Sequence, residues 1–134
     1  MTKSVALKWL KQALHDLEMA EKNIMIEGFD VCAFLSHQSV EKLLKALFVL
    51  DGRRPPKVHY LDELGRGLAL TDDLIGLMAD LEADYTFARY PDIADLVPYE
   101  AYTADIAKEK LAIAKKIFDA LRGNYADLRD GEHA

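Results

Sequence analysis

The chain is predicted to fold as an all-α protein, an antiparallel up-and-down bundle of four to five helices. Apolar residues recur at alternating steps of three and four along several separate stretches, the period of a helix that buries one face. Strand-like alternation persists nowhere. Helix-ending signals, Gly28, Gly52 and Pro55-Pro56 among them, fall where one stretch gives way to the next. With 134 residues, 51% hydrophobic and 30% charged, the composition is that of a single domain with one core rather than a disordered segment.

Ala6, Leu10, Ala13, Leu17, Ala20 and Ile24 form the first stripe, widened by Trp9 and Leu14. They predict a helix over about residues 3 to 27, capped by Thr2 or Ser4 and ended by Gly28 in a left-handed conformation. Asp30 is the expected N-cap of a second helix with the stripe Ala33, His37, Val40, Leu44 and Leu47, ended by Gly52 and the two prolines. The short connection makes these two helices antiparallel neighbours. Leu61, Leu64 and Leu68 imply a short helix. Thr71 then opens a longer one through Leu74, Leu77, Met78, Leu81 and Tyr85, with Asp72 and Asp73 where the helix dipole favours negative charge. Pro91 and Pro98 forbid a continuous helix from Arg89 to Tyr99 and leave a loop with room for a single helical turn. Thr103 opens the last helix, whose stripe is Ala107, Leu111, Ala114, Phe118 and Leu121 and whose end is marked by Gly123. The expected domain is residues 1–126, with 127–134 a flexible polar tail.

Composition excludes several classes. A net charge of -6, from 17 basic and 23 acidic residues, disfavours broad nonspecific attraction to nucleic acid. No apolar run approaches the roughly 20 residues of a membrane span, and the lysine-bearing start MTKSVALKWLKQ reads as an amphipathic helix rather than a signal peptide. A soluble, cytoplasmic protein is expected. The lone Cys32 excludes an internal disulfide or a thiolate metal cluster within one chain and is expected to fill the core.

Two blocks carry more than packing requires: SHQSVEKLLKALFVL running into DGRRPPKVHYLDEL (residues 36–64), and YTFARYPD (85–92). In the second, the planar guanidinium of Arg89 can bind a phosphate or carboxylate through two parallel hydrogen bonds, with Tyr85 and Tyr90 placed to stack or donate. The structural alternative is that Arg89 pairs with Asp92 or Glu82 and fixes the turn. His37 and Glu41, four apart, share one side of the second helix, but two ligands are too few for a metal, and His37 lies on the apolar stripe as a core or interface histidine. Glu41 and Lys45 read as a helical ion pair, and His15 with Asp16 as exposed surface. Arg53, Arg54, Lys57 and His59 gather positive charge that either attracts phosphate or decorates a solvated turn. Gly65-Arg66-Gly67 lacks the rest of a dinucleotide fingerprint. No cofactor is implied.

In this order the blocks resemble the HEPN family, small helical domains with a proposed link to nucleotides. The resemblance rests on Gln38, Glu41, Lys42, Lys45 and Ala46, then His59 and Leu61, then Arg89, Tyr90, Pro91 and Asp92. It implies a homodimeric helical bundle, often encoded beside a minimal nucleotidyltransferase and sometimes acting in a toxin-antitoxin pair. It also implies that His59 caps the helix beginning near Leu61. Ribonucleases of the family follow their arginine, after about four to six residues, with a histidine. Here Ala94, Asp95 and Leu96 occupy those positions, so the chain is similar to the branch that carries RYPD. The expected function is a nucleotide- or RNA-phosphate-binding module using Arg89, Tyr90, Asp92, Arg53 and Arg54, with His37, Glu41 and His59 in structural or interface roles. The alternatives are a metal-independent ribonuclease, in which His37 or Asp95 replaces the lost histidine, and a helical module whose only function is protein interaction.

Overall fold

The computed structural model describes residues 2–89, 92 and 95–132, with the side chains of 84–89 and 129–132 excepted. It contains α1 (Thr2–Met25), α2 (Phe29–Leu50), α3 (Leu61–Gly67), α4 (Asp72–Arg89), α5 (Pro98–Ala101) and α6 (Ala104–Glu132), and no strand among the described residues. Four long helices make the expected bundle; α3 and α5 are short connectors.

α2 is the central element and touches each of the other five helices. Its whole second half is buried, from Ser39 through Val49 apart from the half-buried Lys42, as expected of a helix walled in on all sides. Against it α1 sets the fully buried Ala6, Leu10, Ala13 and Ala20, and its three alanines let the two helices approach closely. Contacts along α2 fix the directions of its neighbours. Early in α2, the Cys32 thiol lies 3.7 Å from the Ala107 carbonyl near the start of α6. Midway, His37 meets Glu82 of α4. At the end, the Phe48 ring packs so closely on Gly67 that a Cβ there would sit 2.9 Å from it. α4 and α1 therefore run antiparallel to α2, and α6 runs parallel to it.

α1, α2 and α3 end alike. In each, a residue in the left-handed region is followed by one whose N–H reaches back five residues: Gly28 to Asn23 O (2.8 Å), Arg53 to Phe48 O (2.9 Å) and Leu70 to Gly65 O (3.1 Å). The left-handed residues are Glu27 (φ 62°), Gly52 (φ 78°) and Ala69 (φ 56°), which makes each end a Schellman motif. Gly52 is as expected. Gly28 is not left-handed (φ -83°); it is constrained by space, since a Cβ would lie 2.5 Å from Asn23 Oδ1. Nor does Asp30 cap α2, which begins at Phe29 with Gly28 as its N-cap and places Asp30 in the first turn.

Thr71 and Thr103 do cap their helices, accepting from Leu74 N (3.3 Å) and Ile106 N (3.2 Å). Pro98 occupies the first turn of α5, the position where a missing N–H is harmless. Gly123 does not end α6. The helix continues to Glu132, because Tyr125 and Leu128 extend the buried stripe beyond Leu121. Tyr125 also donates to the Phe118 carbonyl at 3.4 Å.

Candidate functional site

A seam of polar side chains runs through the interior where α2, α3 and α4 meet. His37 is fully buried on α2. Gln38 Nε2 lies 3.3 Å from its Nδ1, and its Nε2 lies 3.2 Å from Glu82 Oε1. If the Gln38 amide donates to Nδ1, Nε2–H is the group that donates to Glu82. The same Glu82 oxygen accepts the backbone N–H of Leu61 at 2.7 Å, at the first position of α3. Tyr60, the N-cap of α3, offers no side-chain bond. A carboxylate from another helix thus performs the capping, both satisfying an orphan donor and placing negative charge at the dipole's positive end.

Glu41 makes the second half of the seam. Its Oε2 accepts from Lys45 Nζ at 3.0 Å and lies 3.1 Å from His59 Nδ1. His59, expected to cap α3, instead ties the loop before that helix to α2, and its ring remains 54% exposed. The expected Glu41 and Lys45 pair exists, but as a buried pair rather than a solvated one. Lys45 Nζ also stands 5.8 Å from the centroid of the Trp9 ring, a cation-π distance. Glu41 Oε1 and Glu82 Oε2 are buried without a hydrogen-bond partner. Such oxygens are rare in folded proteins and are open to a donor. Among the described residues, no group of three or more His, Cys, Asp or Glu is arranged to hold a metal.

The expected phosphate-binding residues are not gathered in one place. Arg89 is the last residue of α4; its side chain, and Tyr90 altogether, lie outside the described residues. Asp92 is in an exposed turn. Arg53 belongs to the opposite end of the bundle. It pairs with Asp51 (2.9 Å), donates to the Gly67 carbonyl (2.9 Å) and stacks 4.6 Å from the Phe48 ring centroid. It clamps the exit of α2 to the end of α3. Arg54 is exposed beside it. The 18 residues of α4 span about 27 Å, so Arg53 and Arg54 cannot serve the same small ligand as Arg89.

Two polar participants carry little or no sequence signal. Asp16, expected on the surface, is buried, accepts from Gln12 at 2.9 Å and pairs with Lys42. Its place three residues after Ala13 on the buried stripe was the available signal. Glu82 as the link between His37 and α3 had none, since its partners lie 45 and 21 residues away. Burial pushes the Cys32 thiol up to about 11, so at neutral pH it is an inert filler as expected.

The helical architecture has solved counterparts. Protein TT1696 from Thermus thermophilus superposes with a TM-score of 0.80 at 28% identity, covering 89% of this chain and 97% of that one. ST0689, an archaeal HEPN homologue, does so with a TM-score of 0.74 at 32% identity, covering 88% and 95%. Among curated proteins none matches. The HEPN domain model matches residues 6–124, from the first turns of α1 to late α6. With that span matched and the bundle shared with an archaeal homologue, the chain belongs to the HEPN family.

Proposed function

We propose that this HEPN domain is a nucleotide- or RNA-phosphate-binding module that works as a homodimer and pairs with a minimal nucleotidyltransferase in a toxin-antitoxin-like system. Arg89 binds the phosphate, Tyr90 packs on the ligand and Asp92 orients the arginine. The observation that carries the reading is the double use of Glu82, which ties the second half of α4 to His37 of α2 and to the start of α3. Arg89 follows Glu82 by two helical turns on the same helix, so its backbone is held by a buried polar anchor that core packing does not require. Arg53 and Arg54 are left out of this site.

A homodimer is supported by exposed apolar side chains at the same end of the bundle: Met25 and Ile26 at the end of α1, and Leu96 and Tyr99 around the start of α5. The ribonuclease alternative has less support. His37 is sealed in the core with both ring nitrogens engaged, and Asp95 lies exposed in a bend.

The test is titration calorimetry of the wild type and Arg89→Ala with ATP and with a short single-stranded RNA, alongside co-purification with a nucleotidyltransferase encoded beside the gene. Loss of nucleotide or RNA binding in the variant, with the fold retained, is expected. Unchanged affinity for nucleotide, RNA and partner overturns the assignment. Mass analysis of the co-purified protein reports whether Tyr90 or Tyr99 accepts a nucleotidyl group.

A further inference from the structure

At the end of the bundle remote from Arg89, two depressions adjoin along α1. One, of about 280 Å³, is lined by Val5, Lys8, Trp9, Gln12 and Lys42. The other, of about 350 Å³, lies against Val49, Arg54 and Pro55 and shares Val5 with the first. No carboxylate is among the described residues lining either, and each has cations at its edge, on a chain of net charge -6. Lys42 is paired with Asp16 and Arg53 with Asp51. Lys8 and Arg54 are exposed and make no ion pair among the described residues. Between them the floor is apolar: Val5, 45% exposed, with Trp9 and Pro55.

We propose that this groove docks a short segment of a partner protein whose apolar side chains seat beside Val5 and Trp9 and whose carboxylates meet Lys8 and Arg54. Val5, Trp9 and Gln12 repeat at helical spacing along α1, so the groove runs with the helix and suits an amphipathic segment laid along it. The volumes fit anchoring side chains better than an engulfed small ligand, since each lies at or near the lower bound of such pockets. A phosphate backbone is the poorer match. Its affinity grows with the number of cations that neutralise successive phosphates, and among the described lining residues only Lys8 and Arg54 are uncommitted. The groove lies away from Arg89, and the inference does not depend on ligand binding there.

Trp9 is the only tryptophan, so its emission reports occupancy of the groove directly. Amphipathic peptides of about 15 residues, alike in leucine spacing but carrying Glu, Gln or Lys elsewhere, are titrated against the full chain. The Glu peptide is expected to shift the emission saturably, the Gln peptide to bind more weakly and the Lys peptide not at all. The double variant Lys8→Glu/Arg54→Glu, with an unchanged circular dichroism spectrum, is expected to weaken the Glu peptide about tenfold or more. Val5→Glu, which tests the apolar floor, is expected to weaken it as well. The proposal is overturned if the Glu peptide does not saturate, or binds the double variant equally well. It is also overturned if an oligouridylate shifts Trp9 emission in the wild type but not in the double variant, which would make the groove a nucleic-acid site.

Discussion

Replacing Glu82 by alanine removes one carboxylate oxygen from two donors at once, Leu61 N at 2.7 Å and His37 Nε2 at 3.2 Å. The His37 ring is fully buried, and leaving a buried donor unsatisfied costs about 1–3 kcal/mol. Loss of the cap on α3 adds about 1 kcal/mol. Together these predict a destabilisation of about 2–4 kcal/mol, large against the roughly 5–15 kcal/mol of a whole domain. Glu82→Gln gives the sharper contrast. Its carbonyl oxygen can keep both hydrogen bonds, so the cap and the His37 contact survive, while its amide nitrogen takes the buried place of the oxygen that has no partner; the expected cost is about 1–2 kcal/mol, below that of alanine. Urea unfolding measures both values, and hydrogen exchange at the Leu61 amide reports the cap separately. An alanine variant within about 0.5 kcal/mol of wild type would show that the seam adds nothing. A glutamine variant as weak as alanine would show that charge, not acceptor geometry, carries the effect.

Ala69 and Glu27 hold left-handed conformations that disfavour side chains by about 1–2 kcal/mol. Ala69→Gly and Glu27→Gly should each therefore raise the unfolding free energy measured in urea, by about 0.5–1 kcal/mol after the added freedom of the unfolded glycine. Because burial raises the Cys32 thiol from 9.0 to about 11, the unfolded chain loses that proton first as pH rises. Stability should fall from about pH 9 and level off above pH 11, by at most about 2–3 kcal/mol. Subtracting the profile of Cys32→Ala isolates this effect, and a flat difference between pH 8 and 10.5 refutes it. In the proposed homodimer, Met25→Glu/Ile26→Glu should shift light-scattering mass from dimer toward monomer without loss of helicity; an unchanged mass removes that end of the bundle as the interface.

The sequence made the helices legible because apolar side chains recur at steps of three and four along each long one, even along α2, whose second half is buried on all sides. Gly123 reads as a stop in the sequence, although Leu121, Tyr125 and Leu128 keep the step of four and three beyond it. The left-handed residues after α1 and α3 were hidden for a related reason: their Schellman bonds involve backbone alone, so Glu27 and Ala69 give no compositional sign. The polar seam was the least legible part. Glu41 with Lys45 is local and was readable; His59 with Glu41 and His37 with Glu82 depend on how distant segments pack. The arginine loop could be read for charge but not for geometry, which commits Arg53 to Asp51, Gly67 and Phe48.

The Leu61 to Glu82 hydrogen bond also orders events in time. α3 has only seven residues, too few to persist alone in water, and its cap is supplied from 21 positions downstream. Its first turn is therefore completed only when α4 closes onto α2, which makes α3 a late element of folding rather than a nucleus. Substitutions at Leu61 or Leu64 should consequently speed unfolding while leaving the folding rate nearly unchanged.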